Sequence, residues 1–466
     1  MTATAQARET LHRSEWPATT GGDAGPGVAG EKPLNAADRL MLVAHDQMRL
    51  HDHPGFTCQT HLWLNGRLDA PALRAALERL ARRHPVAAAR LVRSEAGAPA
   101  WRFGGPPPPL EETVIPDRAE SSVLAVAERL ASRPVDLDRD PPLSMHLLRH
   151  SSGDDVLILS FSHVLMDGKA PELVLREIDR LHDPNRADET SPDQATGLDF
   201  DARLGQAPRL RRLRCALRVV AGHLRLPVRS VSLSSPHGPA WVTKDHRIGL
   251  RELDERRTQI LADRVRDICG FVNLCPAVLA SAFRAIARLT PRTIRRRTVL
   301  LADVPLNLRP PGATSPLFGN SMSFIPLSAR ACVLADRDGL TGALSRQMRE
   351  QLRRGIDLGN LQMMSVMSRF ERSCAAHIRA RMQHSPVSLG FGFLGPVAGL
   401  ETFCGVPVSR LHTLNAALAP PGVTLQVNQF RGRLGLGLTY VSRSVPPGLA
   451  GEFLDTMMAD LAAERG

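Results

Sequence analysis

From Pro33 to the C-terminus, segments with helical spacing of apolar residues alternate with short apolar or strictly alternating segments, and no stretch repeats another. A chain patterned in this way folds as a mixed α/β protein, because the two periodicities bury one helix face and one strand face respectively. Ala36 to Leu50 reads as a helix and FTCQTHLWL as a strand. Asp69 then caps a helix with Pro71 in its first turn and Leu73, Ala76, Leu77 and Leu80 on one face. Short strands are expected over Val86 to Val92 and Ala98 to Phe103, and GGPPPP must be a loop, since proline donates nothing to a sheet ladder. A helix follows near Ala119 to Ser132. Leu143 to Arg149 and Val156 to Ser162 read as two strands joined by the turn SSGDD, with a helix from about Pro171. The second half adds the helix AVLASAFRAIARL, strands TVLLADVPL, NSMSFIPL, VTLQVNQF and LGLGLTYV, and a closing helix near Gly448 to Ala463.

With 466 residues, 43% apolar and 23% charged, the chain has ample material for a large core and is neither disordered nor disulfide-stapled. Its net charge of +12 overstates any case for nucleic acid, because lysine occurs only at Lys32, Lys169 and Lys244 and arginine supplies the rest. That bias suggests a GC-rich genome. Seven cysteines lie scattered without a C-x-x-C pair, so they are expected to be reduced and mostly buried, with no metal site. No stretch approaches the roughly 18 uninterrupted apolar residues of a membrane span, and residues 1–33 lack the apolar core of a signal peptide. The expectation is a cytoplasmic protein with a flexible tail over residues 1–33.

The chemistry concentrates at HVLMDG, where His163, Asp167 and Gly168 follow directly on an apolar strand ending in Ser162. An imidazole at a strand end sits where the backbone turns away and a side chain can face a channel. Ser162 beside His163 invites a nucleophile pair, but neighbours on a strand point to opposite faces, which argues against it.

The stretch Pro134 to Leu181 resembles the superfamily of condensation domains and CoA-dependent acyltransferases, whose signature is HHxxxDG or HxxxDG. PVDLDRDPPLSMHLLRH is similar to the run that leads into its catalytic strand, PLNAADRLMLVAHDQ to its opening helix, and LDAPALRAALERLARRHPVAAARL to its first long helix and strand. LFGNSMSFIPL and GVTLQVNQFRGRLGLGLTYV are similar to its later segments. The resemblance implies two chloramphenicol-acetyltransferase-like lobes forming a V around a central channel: an N-terminal lobe over 34–200, a basic interlobe segment over 201–244 and a C-terminal lobe over 245–466. It also implies His163 as general base. Asp167 becomes a structural partner of an arginine, either Arg90 or Arg309, and Gly168 permits a backbone conformation or close approach that a side chain would block. Two departures stand out: Ser162 replaces the first histidine, and Ala87, Ala88 and Ala89 replace a triplet common in peptide-forming members.

Residues 202–244 contain no Asp or Glu but carry Arg203, Arg209, Arg211, Arg212, Arg214, Arg218, Arg225, Arg229 and Lys244. Leu210, Leu213, Leu217, Val220 and Leu224 recur at helical spacing, giving an amphipathic basic helix. It reads either as a connector packing its leucines on the fold or as a site for a partner, with Arg211, Arg212 and Arg214 contacting an acidic carrier protein or the phosphates of CoA, an anionic membrane surface being the less favoured partner. Nucleic acid fits least, for want of interleaved aromatics.

The expected function is a freestanding acyltransferase, moving an acyl group from a CoA or carrier-protein thioester to a hydroxyl or amine, ester slightly favoured, with no metal or redox cofactor. The alternative is a catalytically silent condensation-like module that docks a carrier protein or recruits another enzyme.

Overall fold

The computed structural model describes residues 30–463 except 51–52, 94–97, 152, 184–199, 225–229, 235–244, 311, 314, 316, 371–372, 377–386 and 418–419. The first half comprises β1 (Glu31–Pro33), α1 (Ala36–Arg49), β2 (Thr57–Leu64), α2 (Ala70–Arg83), β3 (Arg90–Val92), β4 (Ala100–Arg102), β5 (Leu110–Val114), α3 (Glu120–Ala131), β6 (Leu143–Arg149), β7 (Val156–Ser162) and α4 (Ala170–His182). Helices α5 (Phe200–Gly205) and α6 (Arg209–His223) lead into the second half. That half holds β8 (His246–Leu253), α7 (Glu255–Cys269), α8 (Cys275–Leu289), β9 (Val299–Asn307), β10 (Met322–Arg330), α9 (Arg337–Arg353) and α10 (Ile356–Met367). It ends with β11 (Gly390–Pro396), β12 (Thr402–Phe403), β13 (Val406–Leu414), β14 (Val423–Phe430), β15 (Arg433–Val441) and α11 (Pro447–Ala462).

Local chemistry sets several of these boundaries. The Asp69 carboxylate accepts from Ala72 N–H at 3.0 Å and starts α2, as Asp254 and Asp336 start α7 and α9. Within 86–92 the expected strand is shorter, because Pro85 opens a 3-10 turn over Pro85–Ala88 and only Arg90–Val92 pairs. Most of the expected tail lies outside the described residues, but its end does not: Glu31–Pro33 pair with β4 as an edge strand.

Two sheets dominate. The larger has the order β12-β13-β2-β7-β6-β5, antiparallel except for β5 beside β6, and the smaller has the order β11-β14-β15-β8, antiparallel except for β11 beside β14. The two halves of the chain are not separate in it. Strand β13, from the second half, pairs with β2, placing His412 opposite His61 and so completing the sheet of the first half. A division at residue 245 is therefore crossed by strands β12 and β13.

Each sheet has its own core. Leu62, Leu157, Leu159 and Phe161 pack with Leu73 and Leu77 of α2 and Leu175 and Ile178 of α4. Leu425, Leu436 and Leu300 pack with Phe283 of α8 and Phe453 of α11. A smaller cluster, including Trp63, Ile158, Val123 of α3, Ile248 and Leu250 of β8, and Leu414, joins the halves. These buried apolar faces are the dominant favourable term holding the arrangement.

Candidate active site

Strand β7 is buried along its whole length and pairs on both sides, with β2 and β6. Its end is pinned. Ser162 N–H donates to Pro142 O at 2.8 Å and His163 N–H to Phe56 O at 2.9 Å, after which the chain turns away. The Ser162 hydroxyl accepts from Val164 N–H at 3.2 Å, so it serves the turn rather than the imidazole.

The turn meets the connection between β9 and β10. Gly319 N–H donates to Leu165 O at 2.7 Å. Gly319 has φ +94°, which a side chain would strain, and this bend delivers Asn320 to His163. Asn320 is fully buried, and every polar atom of its side chain is used. Its Nδ2 donates to Asp38 Oδ1 at 2.8 Å and to His163 O at 2.9 Å, while its backbone N–H also donates to Asp38 Oδ1 at 2.8 Å. With both amide hydrogens committed, Oδ1 is the atom left facing His163 Nδ1, at 3.1 Å. An acceptor there requires the imidazole proton on Nδ1, an assignment made from the hydrogen-bond network. The lone pair is thereby placed on Nε2. Phe56 lies edge-on to the ring at 5.3 Å between centroids.

Burial lowers the pKa of His163, and hydrogen bonds to its own carbonyl and to Asn320, with the charge of Asp167, only partly oppose this. The ring is neutral near pH 7. Asp38 shows the other sign: burial raises its pKa to about 6 against the lowering effect of its bonds to Asn320 and Asn35. It is nevertheless mostly a carboxylate at neutral pH. Asp38 is placed by the capping box of α1, in which Asn35 Oδ1 accepts from Asp38 N–H at 2.8 Å and Asp38 Oδ2 from Asn35 N–H at 3.2 Å.

Of the two arginines left open by the sequence, Arg309 is the partner of Asp167. Its Nη1 donates to both carboxylate oxygens, at 2.9 and 2.7 Å, with both residues buried. Arg90 instead lies on β3 in the small three-stranded sheet, half-exposed. Asp167 also accepts from Ser321 N–H at 2.7 Å and from the N–H groups of Lys169 and Ala170 at the start of α4. Burial raises the Asp167 pKa, but the charge of Arg309 and the Ser321 N–H outweigh it and hold the carboxyl below its ordinary value. The Asp167 carboxylate thus ties the His163 turn to the β9–β10 connection. At Gly168, an added Cβ would stand 3.1 Å from Leu394 Cδ2 of β11, a tight contact, and 3.8 Å from Gln426 Nε2 of β14, an ordinary one.

The arginine trio lies elsewhere. Arg211 and Arg214 line a hollow of about 340 Å³ with Arg218, Arg353 and Arg354, and Arg212 is partly buried. Helix α6 rests on α10, and α10 in turn on β10, two residues beyond Asn320. Arg225, Arg229 and Lys244 lie outside the described residues.

Sequence reasoning missed Asp38 and Asn320. The signals were PLNAAD, an Asn-x-x-Asp capping box, and the Gly-Asn step of LFGN, but neither points to His163 without the fold.

Residues 28–201, which contain HVLMDG, match the family model described as the condensation domain. A segment of the chain is 33% identical over 181 residues to the chondramide synthase of Chondromyces crocatus, covering 35% of this chain and 4% of that protein. The first condensation domain of the calcium-dependent antibiotic synthetase, in complex with a substrate analogue, superposes with a TM-score of 0.71 at 17% identity, covering 94% of this chain and 96% of that one. The trichothecene 15-O-acetyltransferase of Fusarium sporotrichioides gives 0.66 at 11% identity, covering 94% and 97%. The fold is therefore the chloramphenicol-acetyltransferase-like fold of condensation domains, over nearly the whole chain. The condensation-domain match itself is confined to residues 28–201. The chain spans only a small fraction of the length of the curated synthetases it is similar to.

Proposed function

We propose that the chain is an acyltransferase that moves an acyl group from a CoA or carrier-protein thioester to a hydroxyl or amine acceptor, with His163 as general base and no metal or redox cofactor. The observation that carries this reading is the committed Nδ1–H···Oδ1 bond between His163 and Asn320, which leaves Nε2 as a neutral base. In the forward step Nε2 takes the proton of the acceptor as its oxygen or nitrogen attacks the thioester carbonyl. The tetrahedral intermediate collapses, the carbon–sulfur bond breaks, and the imidazolium returns the proton to the departing thiolate. Asp167 acts at one remove: paired with Arg309, it holds the turn that carries His163. An ester product is slightly favoured over an amide, because Ala87, Ala88 and Ala89 replace the triplet common in peptide-forming members.

The test is release of free thiol from a panel of acyl-CoAs and acyl carrier proteins with hydroxyl and amine acceptors. Positioned proton transfer is typically worth about 10²–10⁴-fold, so His163→Ala should lower kcat by at least roughly 100-fold in a protein that still folds. Ser162→Ala should leave the rate nearly unchanged. Thiol release by neither the parent nor the variants, with carrier protein still bound, would favour a silent docking module instead.

A further inference from the structure

A helix on a protein surface ordinarily buries its large apolar residues and exposes its polar ones. Helix α6 exposes both its arginines and most of its large apolar residues. It docks on α10 through Cys215 and Val219, and the fit depends on Gly359, where an added Cβ would lie 2.4 Å from Cys215 O. Its large residues face outward: Leu210, Leu213, Leu217, Val220 and Leu224 are 39 to 82% exposed. At about 100° per residue these five fall on one stripe, with Arg209 on one flank and Arg211, Arg214 and Arg218 on the other. The 15-residue helix makes the stripe about 22 Å long. Scattered exposed leucines are normal on soluble proteins, whereas a contiguous aliphatic stripe marks an interaction site.

We infer that α6 lays its leucine stripe into the surface of an anionic membrane, with the flanking arginines at the level of the lipid phosphates. Two features favour a lipid surface over a protein. The stripe is convex and purely aliphatic, and leucine and valine are under-represented among the residues that anchor protein interfaces, where aromatic side chains dominate. An interfacial helix, by contrast, carries leucine on one face and arginine on the other. The charge is also uniform. With no Asp or Glu over 202–244, every side-chain charge of the segment is drawn to an anionic surface and none opposes contact. The inference does not depend on the proposed acyl transfer.

The test uses the full chain and two sets of vesicles, phosphatidylcholine alone and phosphatidylcholine mixed with phosphatidylglycerol, in a flotation assay at low salt. The parent should float with the mixed vesicles, not with phosphatidylcholine alone, and more weakly as salt rises. Leu213→Gln with Leu217→Gln should reduce binding at least about tenfold, since each removes a side chain from the bilayer. Arg211→Gln with Arg214→Gln should do the same by removing charge. All four positions are exposed, so thermal melts should match the parent. Absence of binding by the folded parent, or binding indifferent to the leucine pair, overturns the inference. So does an α6-dependent complex with an acidic carrier protein when vesicles are not bound.

Discussion

The Nε2 atom of His163 carries the free lone pair only if the ring proton sits on Nδ1, and the residues that decide this are distant in sequence. Asn320 is 157 residues away. Asp38, which orients Asn320, lies 282 residues from it. An amide whose two hydrogens are both taken can offer only its oxygen to the imidazole. Asn320→Ala should therefore release the ring to mix its two neutral tautomers, and kcat should fall by at least about tenfold. Nitrogen chemical shifts of the histidine side chains would show the Nδ1–H form of His163 in the parent and its loss in the variant. An unchanged tautomer with unchanged rate would remove Asn320 from the machinery. The histidine itself was legible, since a His-x-x-x-Asp-Gly run after an apolar strand stands out in a single sequence. The choice of Arg309 over Arg90 was not, because pairing across 142 residues leaves no local trace.

At the scale of elements, the Asp167–Arg309 pair joins the β7–α4 turn to the β9–β10 connection. Two charges this deeply buried are costly to separate. Removing one partner leaves the other unpaired, so Asp167→Ala should destabilise by about 3–5 kcal/mol and lower activity in parallel. The double variant Asp167→Leu with Arg309→Met should recover part of that loss, since no isolated charge remains. Denaturant unfolding of the two single variants and the double variant closes the cycle. Additive losses would show that the pair is not coupled. The helices and strands joined here are largely legible in the sequence, because caps such as Asp69 and alternating runs such as FTCQTHLWL act locally. The sequence marks α6 as amphipathic but not which face it buries. Leucine spacing alone implies burial of the stripe, and only the small contact surface of α10 reverses that outcome.

For the whole molecule, the contact between halves includes two buried histidines, His53 before β2 and His246 on β8, with their Nε2 atoms 3.0 Å apart. His53 Nδ1 accepts from Gly55 N–H and its Nε2 lies 3.2 Å from Ala417 O. Burial lowers both pKa values, with mutual repulsion adding to the effect on His53. His53 is pushed well below its ordinary value and His246 to about 4. The unfolded chain binds these protons near pH 6.5 and the folded chain refuses them, so the contribution to stability is complete above that pH. It declines as pH falls from about 6.5 toward 4, by an amount on the order of 3 kcal/mol for His246. Thermal melts across that window should show Tm falling with pH, and His246→Asn should flatten the slope. A slope unchanged by that variant would place the acid sensitivity elsewhere.

The sequence by itself determined the alternation of helices and strands, the mixed α/β class and the HVLMDG run, because caps, turns and hydrophobic period act over a few residues. Tertiary structure decided what lies next to what. Strand β13 crosses into the sheet of the first half, Arg309 and Asn320 arrive from the β9–β10 connection, and Asp38 is brought in by a helix cap. These contacts join groups 142 residues or more apart, and each buried polar group is tolerated only because its partner replaces the water it loses. No local pattern can record that, since each partner alone is an ordinary polar side chain whose place depends on how the two sheets pack.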